Sequence, residues 1–599
     1  MKKTFFLFLL LSSFVYVLGS QATITTPEDI ILADSTYHVE DYAIPSFIQF
    51  LAAKEAARAN FSEENVLALN QKIAALQPYQ MPYDVVVNIN GDPTTQMAFA
   101  WFTNDRMTTG QVQLTPITDL STLHTVFDTA TNVMTCEATP TAVKKIRYAI
   151  GLSGIPAATG LPMSTKYKFT SHKVIAEGLT PNTTYAYRVG VDGYWSEVAT
   201  FTTAPLNDPE TSEDFTFVYM TDSHIQDQKY VDVARQAAMA AARNTPEAKF
   251  CVFPGDFVET GTVGNSEWEW ERWFDEAMRP IVQQMPIVPT DGNHDDSENL
   301  NYSYHFNTDN QFKENAKVKP QFDGITYSFM YGDVLFMVYS LQDYWKGAYS
   351  LTSLTSTYLT NDVGNWFRDQ VKAHPEAKWR VALVHKNIFS GSSHQEDEET
   401  PLFRATMLPI MKECEIDLML QGHDHCYEVI GPVNPDTQTP IKEAIADLEP
   451  TVLSASRNKG GTFTVNDGTL YFIGATCGSK RYNPNSKAVM EADYSKHKVE
   501  NYYDLFTGMF CQPGAPSYST FTVDGNTITV NSYKVPKGKA PELFNTFYIK
   551  RTKDHSSQTS DQKKALKIMQ NGLVYIMHDN VTYNSIGQIV SNGNVANSR

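Results

Sequence analysis

The stretch Phe215-Thr216-Phe217-Val218-Tyr219-Met220-Thr221-Asp222-Ser223-His224 runs from apolar residues into a carboxylate and an imidazole two positions apart. A short apolar run bounded by polar residues reads as a buried strand. The same arrangement recurs four times. Phe250–Phe253 leads to Gly255-Asp256, Ile287–Val288 to Gly292-Asn293-His294-Asp295, Val381–Val384 to His385, and Leu418–Leu420 to Gly422-His423-Asp424-His425. In α/β sheets, sites form where the carboxyl ends of strands converge. Residues about 200 positions apart can therefore meet in one crevice.

The residue types select the chemistry. Carboxylate, imidazole and amide ligands suit first-row ions such as Zn, Fe or Mn, whereas thiolate would pull a site elsewhere. A bound ion can lower the pKa of water to ~7, and two ions about 3.5–4 Å apart can hold the attacking and leaving oxygens of a phosphoryl displacement. Such a pair needs roughly seven or eight ligands with one carboxylate shared. Asp222, His224, Asp256, Asn293, His385, His423 and His425 suffice if Asp256 bridges. A lone Asp or His at a strand end is usually a satisfied cap. Seven in this order argue for metals.

The order D-x-H, GD, GNHD, H, GHxH resembles the calcineurin-like metallophosphoesterase superfamily over residues 213–536. That resemblance implies a dinuclear centre, with Asp222, His224, Asp256 and His425 on one metal and Asp256, Asn293, His385 and His423 on the other. It implies attack by a metal-bound hydroxide on a phosphoric ester, with His294 beside the phosphate and Asp295 polarising it. It also implies an α/β fold, the four-layer αββα sandwich. The sequence accords with that. Helical stretches Val231–Arg243, Glu267–Met278, Val363–Lys372 and Arg404–Lys412 alternate with the strands, as in βαβ units. Thr326–Phe329, Val334–Leu341, Gly468–Ile473 and a hairpin over Phe521–Val535 turning at Asp524-Gly525 suggest a second sheet.

Upstream, residues 83–205 change to a β-rich period. Gly178-Leu179-Thr180-Pro181-Asn182-Thr183-Thr184-Tyr185-Ala186-Tyr187-Arg188-Val189 resembles fibronectin type III domains, with Tyr185 as the tyrosine corner and Trp101 as a core aromatic. An all-β sandwich directly before a phosphoesterase resembles plant-type purple acid phosphatases. Two departures stand out. That group has Asp-x-Gly where this chain has Asp222-Ser223-His224, and an iron-binding Tyr where this chain has Glu259. The two ions are therefore expected to be divalent or mixed-valence Fe, Zn or Mn, without a purple tyrosinate band. Glu259 reads as a ligand, as an acceptor for a ligating imidazole, or as a solvated loop residue. His394, nine residues after His385, resembles a substrate-side His of that group. Its alternative is an exposed loop residue beside the acidic run Gln395–Glu399.

The remaining features set the context. At 599 residues the chain is too long for one core. With 42% hydrophobic and 19% charged residues, wholesale disorder is excluded. A net charge of −19 argues against a nucleic-acid backbone as partner. Residues 1–20, with Lys2 and Lys3 before an apolar stretch, read as a signal peptide, so the protein is expected to be secreted, periplasmic or at the cell surface. Residues 21–82 read as a helical segment, 537–563 as a linker, and 564–599 as a small β-module resembling those that attach secreted bacterial proteins to surfaces. No run after the signal is long enough to span a membrane. The six Cys permit zero to two disulfides, Cys477–Cys511 being the least unlikely pair. Cys426, beside His425, is expected to point away from the metals. The leading reading is an exported phosphomonoesterase acting on small phosphorylated substrates. A phosphodiesterase or nucleotidase with the same site is the alternative. A surface or glycan-binding protein that keeps the phosphoesterase core as scaffold is the second alternative.

Overall fold

The computed structural model describes residues 23–143, 168–206, 214–259, 267–295, 301–308, 325–341, 354–451, 458–492 and 499–555, and the backbone of four further strands between 566 and 592. The expected signal peptide, 1–20, lies outside the described residues. So does Asp296, beside the third motif.

Two sheets face each other in the phosphoesterase region. In the first, Phe215–Tyr219, Cys251–Pro254 and Ile287–Thr290 run parallel, flanked by the antiparallel hairpin Ser517–Asp524 and Thr527–Lys534. In the second, Val334–Val338, Trp379–Leu383, Leu418–Gln421 and Thr469–Gly474 run parallel. Phe217, Tyr219, Phe250, Val252 and Val288 from one sheet interdigitate with Phe336, Val381, Leu383, Leu420 and Phe472 from the other. The outer faces carry helices. Gln228–Asn244 and the Trp270–Trp273 turns pack on Val218, Cys251 and Phe253, while Gly364–Ala373 and Glu399–Glu413 pack on Leu335, Met337, Ala382 and Met419. Each strand in the middle is apolar on both faces because both are covered. The result is a mixed α/β metallophosphoesterase fold in four αββα layers.

The β-rich N-terminal domain is a sandwich. Tyr83–Asn88, Gln96–Asn104, Phe169–Glu177 and Thr139–Val143 form one layer, and Met134–Glu137, Gln111–Pro116, Thr184–Val191, Tyr194–Trp195 and Ala199–Thr202 the other. Phe99, Trp101, Val112, Leu114, Tyr187 and Phe201 fill the space between. Tyr185 Oη accepts the Thr180 backbone N–H at 2.9 Å, which pins the turn after Gly178. Tyr185→Phe is expected to cost about 1 kcal/mol of stability, read as a lowered urea midpoint at unchanged slope.

The sandwich and the phosphoesterase region share a sheet. Asn88 pairs in parallel with Ile287, so the first sandwich layer continues the first phosphoesterase sheet into one of 12 strands. Asn307 clips this seam. Its backbone N–H donates to Asn88 Oδ1 at 3.0 Å, its carbonyl accepts from Asn88 and Asn90, and its side-chain amide donates to the Phe99 and Val174 carbonyls.

The segment before the sandwich contains three helices, Pro27–Thr36, Ile44–Ala59 and Glu63–Ala74, the last capped by Ser62 through the Asn65 N–H. Ile44 and Ile48 pack it on Tyr83, Phe102 and Trp268.

Two expectations are corrected. Residues 542–550, read within a linker, are a strand that pairs with Thr527–Lys534 and Asn458–Thr464 and buries Phe547 and Ile549. The polar run that follows masks its period-two pattern. All six cysteines are free thiols, the lower end of the zero to two bridges expected, and the pair named as least unlikely, Cys477–Cys511, is not a bridge. Burial holds both thiols above their ordinary range, and Cys426 Sγ faces the Cys511 carbonyl rather than the ligand cluster. Downstream, four short strands from Leu566–Gln570 to Ile589–Asn592 form an antiparallel meander.

Candidate metal centre

All five motifs sit just beyond the carboxyl ends of parallel strands, three in one sheet and two in the other. Tyr219 ties the sheets together there, donating its hydroxyl hydrogen to the Gln421 carbonyl and accepting the Gly474 N–H at 3.2 Å. Side chains from opposite sheets therefore converge. Asp222, His224, Asp256 and His425 form one fully buried cluster, and Asp256, His385 and His423 another, with Asp256 common to both. His224 Nε2 lies 2.9 Å from His425 Nε2 and 3.3 Å from Asp256 Oδ2. His425 Nε2 is 3.1 Å from Asp222 Oδ1. His385 Nε2 is 3.2 Å from Asp256 Oδ2 and 3.1 Å from Asn293 Oδ1, which brings the amide into the second cluster.

The local backbone is strained to achieve this. Asp222, His224, Asp256, His423 and His425 all have positive φ, between 40° and 73°. Such conformations cost roughly 1–3 kcal/mol each in non-glycine residues and persist where the surroundings enforce them. Close approach is enforced at Gly292, where an added Cβ would stand 2.2 Å from both the Asp256 amide nitrogen and its Oδ1.

The donor set fits divalent cations. Two imidazole nitrogens and two carboxylate oxygens face one another in the first cluster, and His423 Nε2 in the second is buried without a hydrogen-bond partner. The charges agree. Burial works to raise the Asp222 and Asp256 carboxyls, but surrounding imidazoles hold both below the usual range. Burial works to lower His224 and His385, but Asp256 and neighbouring acceptors lift both to about 9. His425 falls to about 4 through burial, and His423 also falls well below the ordinary value.

Supporting contacts fix the rings. His385 Nδ1 donates to the Pro254 carbonyl at 2.7 Å, and His224 Nδ1 donates to Glu259 Oε2 at 2.8 Å. Of the readings open for Glu259, the structure places it as acceptor for an imidazole. Lys480 Nζ is 2.6 Å from the same oxygen. Burial raises the Glu259 carboxyl, yet His224 and Lys480 help hold it at about 2. Glu259→Gln is expected to weaken cation binding by about 10–100-fold, measured by competition with a chromophoric chelator; unchanged affinity would rule out its orienting role.

His294 lies at the edge of this group. Its backbone N–H donates to Asp256 Oδ1 at 2.9 Å and its Nδ1 to the Glu259 carbonyl at 2.5 Å. The expectation that Asp295 polarises His294 is corrected. Asp295 is buried and accepts the backbone N–H groups of Phe257, Val258 and Gly292, so it fastens the Asp256 loop to the Asn293 loop. The order Asn-His-Asp suggests a dyad, but a tight turn points successive side chains apart.

His394 reaches the site. Its ring stacks on His423 at 3.6 Å, and its Nδ1 donates to Asp397 Oδ2 at 2.7 Å. Asp424 holds this loop by accepting Ser390 Oγ–H at 2.6 Å and Ser392 N–H at 3.1 Å. Sequence reasoning missed Lys480 and Tyr482, whose ring stacks on His425 at 4.4 Å. Both follow the strand Thr469–Gly474, a sixth strand end whose residues are not metal-ligand types. Arg481, which the sequence does not place, is exposed.

Known proteins agree with this geometry. Residues 215–427 match the calcineurin-like phosphoesterase family, and residues 82–203 match the purple acid phosphatase N-terminal domain. An uncharacterized Mycobacterium tuberculosis protein is 25% identical over 285 residues, 44% of this chain and 52% of that protein. Probable purple acid phosphatase 20 of Arabidopsis thaliana is 24% identical over 231 residues, 32% of this chain and 49% of that protein. The chain thus spans about half the length of these curated relatives. Purple acid phosphatase PPD1 from yellow lupin (Lupinus luteus) seeds shares the fold, with a TM-score of 0.54 and 14% identity over 79% of this chain and 75% of that one. The chain therefore carries a region matching the calcineurin-like phosphoesterase family behind one matching the purple acid phosphatase N-terminal domain.

Proposed function

We propose that the protein is an exported, dinuclear-metal phosphoric ester hydrolase with a preference for monoesters. The observation that carries this reading is the pair of buried ligand clusters sharing Asp256. Asp222, His224, Asp256 and His425 would hold one cation, and Asp256, Asn293, His385 and His423 the other. The bound pair would supply Lewis-acid activation of water and neutralise charge building on the phosphoryl oxygens.

The chain's own groups do the rest. His294 commits Nδ1 to the Glu259 carbonyl, which leaves Nε2 for the ester. His394 likewise commits Nδ1 to Asp397 and leaves Nε2, a suitable donor to a leaving-group oxygen. Tyr482 stands against His425 and Lys480 against Glu259. Tyr482 covers one face of the His425 ring, and Lys480 adds a positive charge beside Glu259.

The match to a purple acid phosphatase N-terminal domain supports the monoester preference, and the Tyr185 corner supports reading that domain as fibronectin III-like. His224, standing where that group has glycine, favours a phosphodiesterase or nucleotidase as the second reading. The pattern of residues 1–20 supports export. Among the described residues no helix is long and apolar enough to cross a membrane. The C-terminal meander is proposed as the surface-associating element.

The test is hydrolysis of p-nitrophenyl phosphate beside bis-p-nitrophenyl phosphate, with cations counted before and after chelation. The expected outcome is faster monoester turnover, lost on chelation and restored by Zn²⁺, Mn²⁺ or Fe²⁺. Faster diester turnover would transfer the reading to the phosphodiesterases. Turnover that survives complete cation removal would end it.

A further inference from the structure

A second group of metal-ligand side chains shares no residue with the Asp256 centre. Asp84, Glu267 and His305 each offer one ligand atom within 4.8 Å of the others, and each residue is only 1% exposed. They come from three elements: the first strand of the sandwich, the start of the Glu267–Arg272 helix and the end of the Asn301–His305 helix. The site therefore lies where the sandwich meets the phosphoesterase.

The backbone is shaped to present Asp84. Its φ is +52°, and the ladder to Gln96–Asn104 shifts register between Tyr83 and Val86. A bulge re-aims a side chain, and this one leaves both Asp84 carboxylate oxygens buried without a hydrogen-bond partner. The imidazole is equally prepared. His305 Nε2 lies 3.2 Å from Glu267 Oε1, while Nδ1, buried without a hydrogen-bond partner, lies 3.8 Å from Asp84 Oδ2. Phe102, Trp270 and Phe274 stack around the ring at 4.5, 4.9 and 4.9 Å and fix its plane. Two more carboxylates, half-buried Asp275 and buried Glu271, add to the negative charge. Asp275 accepts the Asp84 backbone N–H, and Glu271 has a buried, unpartnered Oε2.

Buried carboxylates are strongly disfavoured unless paired, protonated or bound to a cation. Among the described residues no Lys or Arg forms an ion pair with Asp84. Asp275, Glu267 and Glu271 surround Asp84 with like charge. A cation placed there would reverse that balance. One imidazole among carboxylates is a donor set suited to zinc.

We propose that Asp84, Glu267 and His305 bind a structural divalent cation of the zinc type that fastens the sandwich to the phosphoesterase domain. Asp222→Asn/Asp256→Asn removes charge from the Asp256 centre. This double variant, loaded with Zn²⁺ and freed of excess, is expected to retain one tightly held Zn²⁺ per chain, and adding Asp84→Asn should remove it. Asp84→Asn alone should hold one Zn²⁺ fewer than the wild type and lose the rise in melting temperature that Zn²⁺ gives the double variant. A double variant without tightly held Zn²⁺, or retained Zn²⁺ indifferent to Asp84→Asn, would overturn the proposal. An Asp84→Asn chain that melts higher than the zinc-loaded wild type would also overturn it, by showing mere relief of carboxylate repulsion. If the variants do not fold, zinc-edge anomalous density from wild-type crystals decides, with a peak between Asp84, Glu267 and His305 expected and a bare site fatal. None of these outcomes depends on the protein being a phosphatase.

Discussion

Asp256→Asn is expected to lose hydrolysis by on the order of 10³-fold or more, about 4 kcal/mol of transition-state stabilisation. The substitution is close to isosteric, and asparagine tolerates the left-handed backbone found there, φ +52°. Oδ1 could still accept the His294 N–H. What changes is Oδ2, which stands 3.3 Å from His224 Nε2 and 3.2 Å from His385 Nε2. An amide NH₂ in that place presents hydrogens to both clusters and removes the charge they share. Measured kcat/KM and cation content should fall together while the melting transition stays cooperative. A variant within tenfold of the wild type that keeps both cations would show that Asp256 does not bridge.

Asp417→Ala is expected to destabilise the protein by about 3–5 kcal/mol, because removing one member of a buried ion pair strands the other. Asp417 is fully buried and pairs with Arg551. It also accepts the Arg380 backbone N–H at 2.8 Å and lies 3.1 Å from His555 Nε2. The alanine variant leaves Arg551 with Glu415 at 3.7 Å as its nearest remaining charge. Urea denaturation should show a lower midpoint at unchanged slope. A loss below about 1 kcal/mol would mean that Glu415 suffices. The result also bears on the chain after Pro536, because Arg551 belongs to a stretch whose composition suggests a tether and whose contacts make it part of the core.

What was legible in the sequence followed from locality. Each strand end carries its apolar run and its Asp, Asn or His within a few residues, so Asp222, Asp256, Asn293, His385 and His423 could be picked out and brought together by the rule for parallel sheets. The β-sandwich was legible in its alternation and in Tyr185. Features that arise between distant segments were not. Lys480 acquires meaning only from its pairing with Glu259, and Tyr482 only from His425. Asp295 sits one residue from His294, yet the turn sends its carboxylate to Phe257 and Gly292. The left-handed backbone at five ligands was also hidden, because histidine has only a modest preference for it.

The seam at Asn88 and Ile287 has a consequence for how the halves could exist apart. Where modules are joined by a tether, cutting it exposes only hydrophilic chain. Here a cut would unpair Ile287 from Asn88 and undo the Asn307 clip on Asn88, Asn90, Phe99 and Val174, leaving those buried polar groups without their partners. The two halves are therefore best expressed together, as a single folding unit.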